Sequence, residues 1–144
     1  MIYATHFTPV STLKNNGQRA EFDACLALCD YGKNPDNVKG TEKPDFILNG
    51  YGVQCKTARA TICNGYDYFD YIFNKCACHQ YCYVCYTNQT LYLFTKDSFY
   101  DFVSEFHYFD KDSKTSLPKI RLAKESKRMR EWLERHTNCK PLPL

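Results

Sequence analysis

The sequence predicts an α/β (α+β) domain in which helices flank a mixed β-sheet. Three observations carry that expectation. Asn49-Gly50 lies between two β-prone runs, a second strand pair spans Tyr81–Thr87 and Thr90–Thr95, and helical spacing of apolar residues brackets both pairs. A chain of 144 residues is one domain, 1–144, and can bury a core without disulfides or a structural metal. Hydrophobic residues at 44% and charged residues at 24% exclude wholesale disorder. No apolar run approaches the ~20 residues of a membrane helix. The start, MIYATHFTPVSTLK, lacks a basic-then-apolar leader, so a cytoplasmic, reducing setting with no membrane is expected.

Taken in order, Gln18 to Asp30 reads as a helix with Phe22, Cys25, Leu26 and Cys29 as its apolar stripe, Asn15 or Asn16 capping it and Gly32 stopping it. Lys33 to Lys43 is rich in turn residues and reads as a loop. The Asn49-Gly50 hairpin sets strands at about Asp45–Leu48 and Tyr51–Ile62. Tyr66–Asn74 reads as a short helix, and the next strand pair turns at Asn88-Gln89. Lys96–Phe106 is a helix capped by Asp97 or Ser98, burying Phe99, Phe102, Val103 and Phe106. A last, basic helix runs from about Ala123 to His136.

The first hairpin carries the chemistry. A two-residue loop sets Asp45 opposite Gln54, while a four-residue loop sets it opposite Lys56; in both, Asp45, Gln54 and Lys56 share a face. Phe46, Leu48, Val53 and Cys55 form the apolar face. A carboxylate, an amide and an ammonium at one sheet edge suit metal-assisted phosphodiester hydrolysis. The carboxylate and amide oxygens hold a hard divalent cation, and the lysine stabilises developing negative charge.

Pro44-Asp45 followed by Gln54-Cys55-Lys56 resembles the signature of the PD-(D/E)XK nuclease superfamily, and Glu21 matches the glutamate that many members place on the first helix. Gln54 departs from the usual Asp or Glu and is similar to a variation in some Mrr-like restriction enzymes and an intron-encoded homing endonuclease. The resemblance implies a restriction-endonuclease-like core and a Mg²⁺- (or Mn²⁺-) dependent endodeoxyribonuclease. In it Glu21, Asp45 and Gln54 are metal ligands and Lys56 assists the attacking water. It further implies double-stranded DNA as partner and a homodimer or higher oligomer, so that both strands are cut. Restriction or homing cleavage ranks above Holliday-junction resolution. The competing reading is a non-catalytic nucleic-acid-binding module that uses the basic C-terminal helix.

Charge supports a phosphate-bearing partner. Between Lys111 and Lys140 ten cations face four anions, a local +6, while the whole chain is +3 and the remainder −3. Within this basic segment, 111–144, Lys124, Lys127, Arg128 and Arg130 are candidate DNA contacts, with Arg59 as another, and Met129, Trp132 and Leu133 form the helix's docking side. The nine cysteines are odd in number and read as reduced, buried thiols. Cys76, Cys78, Cys82 and Cys85 are the candidate ligands of a structural zinc, but strand alternation would point Cys82 and Cys85 to opposite faces, so zinc is not expected. Of the crowded tyrosines, Tyr66, Tyr68, Tyr71, Tyr81, Tyr83 and Tyr86, core and rim positions are expected before base stacking.

Overall fold

A computed structural model describes residues 1–9, 16–30, 35–37, 44–57, 59–60, 67–70, 80–108, 119–122 and 126–138. Its elements, in chain order, are β1 (Ile2–His6), α1 (Asn16–Asp30), β2 (Pro35–Asn37), β3 (Phe46–Leu48), β4 (Tyr51–Lys56), β5 (Arg59–Ala60), β6 (Asp67–Asp70), β7 (Gln80–Cys85), β8 (Thr90–Thr95), α2 (Lys96–Phe106), β9 (His107–Tyr108), β10 (Lys119–Leu122), α3 (Lys127–His136) and β11 (Thr137–Asn138). Seven strands form a mixed sheet in the order β11-β1-β8-β7-β4-β3-β2, and four form a small sheet in the order β5-β6-β10-β9. The fold is thus mixed α/β, with helices on both faces of the larger sheet.

The Asn49-Gly50 turn is as expected. Both residues have positive φ, 49° and 81°, which matches the right-handed twist of the flanking strands and pairs Leu48 with Tyr51 and Phe46 with Val53. β4 then runs parallel to β7, with Cys55 beside Cys82, and the chain between them passes through β5 and β6. β7 and β8 form the second hairpin, turning over Tyr86–Gln89.

Alternation along β7 divides the interior. Tyr81, Tyr83 and Cys85 face α2 and α3, where Phe94, Phe99, Phe102, Phe106 and Trp132 form a continuous aromatic cluster. Tyr81 stacks on Phe99 at 4.4 Å between ring centroids, and such pairs add about 0.5–1.5 kcal/mol beyond burial. Cys82 and Val84 face α1 together with Phe46, Leu48, Val53, Leu91 and Leu93. Tyr81 and Tyr83 are therefore core residues. α2 matches its expected limits and buries the expected Phe99, Phe102, Val103 and Phe106.

Several expectations fail, each for a local reason. α1 does not bury Phe22, which is 48% exposed; its inner face is Ala20, Asp23, Ala24, Ala27 and Leu28, because the small alanines let the helix backbone lie close to the sheet. β4 ends at Lys56 rather than reaching Ile62: Thr57 turns its hydroxyl to the Val84 carbonyl at 3.1 Å, and Arg59–Ala60 join the small sheet. The expected loop at Lys33–Lys43 contains β2, which pairs with β3 as the sheet's edge. Tyr66–Asn74 contains a strand, β6, rather than a helix, since Asp67–Asp70 pairs with β10 on one side and β5 on the other. α3 begins at Lys127, where Ser126 accepts a hydrogen bond from the Met129 amide, and not at Ala123. β1, which the sequence pattern leaves unassigned, lies between β8 and β11.

These packing assignments are separable by truncation. Leu28→Ala should cost about 2–5 kcal/mol and Phe102→Ala about 3–5 kcal/mol in urea denaturation. Phe22→Ala should stay within about 0.5 kcal/mol of the parent. The opposite ranking of Leu28 and Phe22 would restore the larger stripe to the core.

Candidate functional site

The β3–β4 ladder stops at Phe46–Val53, and Asp45 lies at the bend just before β3. On the side facing β3, the next free donor of β4 is the Cys55 amide. It donates to Asp45 Oδ2 at 2.7 Å. A side-chain carboxylate thereby replaces the backbone acceptor that a continuing strand would offer, which frees the two strands to part at this point. The bond also fixes one carboxylate oxygen of Asp45 against the rim of the sheet.

Glu21 meets Asp45 there from the first turns of α1. Half-buried, its carboxyl is raised from 4.5 to about 7, first by loss of water, then by the Asp45 charge and by a hydrogen bond with the Asp45 carboxyl. Glu21 therefore keeps its proton to a higher pH than an ordinary glutamate. Such a pair concentrates negative charge that nothing among the described residues neutralises, since no ion pair within 4.0 Å reaches either carboxylate. A divalent cation fits this donor set: Mg²⁺ is held in many proteins by one or two carboxylates, with water and substrate oxygens completing its shell. Among the described residues, no group of three His, Cys, Asp or Glu side chains is placed to hold a metal.

Gln54 and Lys56 stand on the other side of β4 from Cys55. Their partners in register are Tyr81 and Tyr83, on the α2 face, whereas Cys55 aligns with Cys82 on the α1 face. Both are half-buried. The two-residue loop holds, with Leu48 opposite Tyr51, and the ladder ends at Phe46–Val53 with Asp45 at the bend beyond it. The structure thus brings Glu21 to Asp45, and leaves Gln54 and Lys56 on the opposite face of β4 from Cys55 and α1.

Neither a scan of family models nor searches of curated proteins and solved structures find a match to this chain.

A second cluster adjoins the carboxylates, and the sequence reading does not single it out. Asp23, with a fully buried side chain, accepts the Tyr86 hydroxyl at 2.9 Å and faces Arg19 Nε at 3.8 Å. The Arg19 guanidinium lies 4.6 Å over the Tyr86 ring. Burial first, then the Asp23 hydrogen bond, push the Tyr86 phenol above its ordinary range. The signal available in sequence is the i,i+4 spacing of Arg19 and Asp23, which is common on exposed helices. The neighbouring Cys55 thiol is pushed up by its hydrogen bond with Cys82, then by burial, and so is a poor nucleophile.

The remaining candidates are dispersed. α3 docks through Met129, Trp132 and Leu133 on the aromatic layer, across the sheet from α1. Two of its cations have acidic neighbours: Lys127 lies 3.7 Å from Glu131, and Arg128 bonds Glu105 of α2 at 2.7 Å while covering the Phe106 ring at 4.8 Å. Arg130 is half-buried. The backbone of Arg59 belongs to β5, and Lys124 lies outside the described residues. Cys82 and Cys85 point into opposite layers, so one ion cannot take both, and Cys76 and Cys78 lie outside the described residues. A cavity of about 370 Å³ between β1, α2 and α3 is lined by Asp101, Glu105, Trp132 and His136 and contains none of the candidate residues.

The carboxylate pair makes stability depend on pH in a definite direction. Between about 4.5 and 7 the folded chain keeps a proton on Glu21 that the unfolded chain has lost. In metal-free buffer, the contribution from this site should therefore fall as pH rises through that window and be level above it. Glu21→Gln should remove that slope from the melting temperature. A slope unchanged by the substitution would show that Glu21 is not the group that keeps its proton in the folded chain.

Proposed function

We propose that this chain is a Mg²⁺- (or Mn²⁺-) dependent DNA endonuclease of the PD-(D/E)XK kind, hydrolysing phosphodiester bonds. The observation that carries the reading is the contact between Glu21 and Asp45, residues 24 positions apart in sequence that the signature itself names as partners. Together they supply the anionic half of a metal site, and the Cys55 amide holds Asp45 in place. Gln54 offers an amide oxygen as a further neutral ligand, which lowers the charge of the site relative to a third carboxylate. A divalent ion held there would supply polarisation of a phosphoryl oxygen and a more acidic water. Lys56, two residues from Gln54 on the same side of β4, would orient the attacking water and stabilise developing negative charge.

With one such pair among the described residues, cutting both strands of a duplex calls for two copies. A restriction or homing role ranks above junction resolution on the resemblance of the Gln54-Cys55-Lys56 motif. The alternative of a non-cutting module that binds through α3 draws less support, because Lys127 and Arg128 already have acidic neighbours.

Incubation with mixed-sequence plasmid and phage DNA should give cleavage in Mg²⁺ and none in EDTA. Asp45→Ala and Lys56→Ala should each slow single-turnover cleavage by about 10²–10³-fold or more while duplex binding in Ca²⁺ persists. Cleavage at the parental rate by either variant would overturn the site assignment, and EDTA-resistant cleavage would overturn the metal.

A further inference from the structure

α1 meets the sheet through Ala20, Ala24, Ala27 and Leu28, and two acidic side chains stand at the edges of that face. Glu21 and Asp23 lie about 160° apart around the helix axis, Glu21 at one flank and Asp23 at the other. Methyl groups set how deep the helix lies, but a face made mostly of alanine has shallow ridges and offers little to stop it turning. Turning matters at the flanks. Side-chain ends lie about 5–6 Å from the axis, so a rotation of about 10° moves them by about 1 Å. That displacement separates a hydrogen bond from none.

Asp23 supplies the stop. Its side chain is fully buried and accepts the Tyr86 hydroxyl at 2.9 Å. Tyr86 follows directly on β7, and its ring is fixed by Phe7, edge-on at 5.7 Å, and by the Arg19 guanidinium 4.6 Å over its face. Phe7 is itself tied to the same turn, its amide donating to the Gln89 carbonyl at 2.9 Å. An acceptor on the helix thus meets a donor that the sheet holds in place. Arg19 Nε, 3.8 Å from Asp23 on the same helix, tempers the charge but turns with it. A buried carboxylate is a poor device for stability alone, since an apolar residue on this face would need no desolvation. What it adds is register, because rotating α1 strips the charge of its donor.

We infer that Asp23 and Tyr86 are positioning residues for the carboxylate pair: their hydrogen bond sets the rotation of α1 on the sheet, and that rotation brings Glu21 to Asp45. The positioning follows from the packing; its service to metal-dependent cleavage rests on the nuclease reading above. One flank of the helix is pinned so that the other can hold a carboxylate at the rim.

The test combines Asp23→Ala and Tyr86→Phe in one chain, which removes both partners and strands no buried charge, so the double variant keeps its fold. Proton–proton cross-peaks between the Glu21 and Asp45 side chains should be lost, while those across the β7–β8 hairpin remain. Single-turnover cleavage in Mg²⁺ should fall about 10²-fold, as a displacement of about 1 Å implies, with duplex binding in Ca²⁺ retained. Asp23→Asn, whose amide oxygen still accepts the Tyr86 hydroxyl, should keep both the cross-peaks and the rate. Phe102→Ala, which lowers stability from the opposite face of the sheet, should keep the cross-peaks. Their loss in the double variant of a parent chain that cuts no DNA would keep the positioning role and remove the nuclease. A parent chain that cuts DNA, with cross-peaks and rate unchanged in the double variant, would overturn the inference and leave the nuclease standing. Loss that follows stability alone, in Phe102→Ala as well, would also overturn it.

Discussion

The hydrogen bond from the Cys55 amide to the Asp45 carboxylate is the constraint on which the candidate site depends. A β-strand must satisfy each amide, and at this position the acceptor is a side chain. That substitution ends the β3–β4 pairing after Phe46–Val53 and anchors a charged oxygen at the rim of an otherwise apolar layer. Glu21 then has a neighbour of like charge in a partly dehydrated place, and its raised pKa follows. The electrostatic cost at this rim is a reason to expect a cation there.

The scaffold around it is rigid for identifiable reasons. β4 is held on one side by the Asn49-Gly50 hairpin and on the other by parallel pairing to β7. Beneath it, Ala20, Ala24 and Ala27 let α1 approach closely enough for Glu21 to reach the sheet edge. A helix with Leu or Phe at those positions would stand farther off, and the two carboxyls would separate. The aromatic layer on the opposite face, with Phe102 against Phe94, Phe106 and Trp132, anchors α2 and α3. α3 accordingly reads first as a packing element.

What the sequence makes legible is what local chemistry alone decides. Asn49-Gly50 specifies a turn with positive φ at both residues, and the register of Phe46 against Val53 follows from it. The Phe99-Phe102-Val103-Phe106 stripe is legible because large side chains repeat at helical spacing. The alanine face of α1 is not, since alanines carry little apolar signal and Phe22 and Leu26 carry much. β2 and β6 escape because their pairing partners, not their own composition, make them strands. The Arg19–Asp23–Tyr86 cluster needs a contact across 63 residues of sequence, which spacing within a helix cannot announce. Glu21 and Asp45 could be matched by motif, but the raised pKa of Glu21 is a property of the folded arrangement.

The central claim is that Glu21, beside Asp45, holds a proton which a divalent cation displaces. Calorimetric titration of Mg²⁺ into the metal-free chain at a pH below 7, repeated in buffers of different ionisation enthalpy, counts the protons released on binding. The account predicts about one proton per ion for the parent chain and close to none for Glu21→Gln. Saturable binding that releases no proton from the parent, or the same number from both chains, would contradict it.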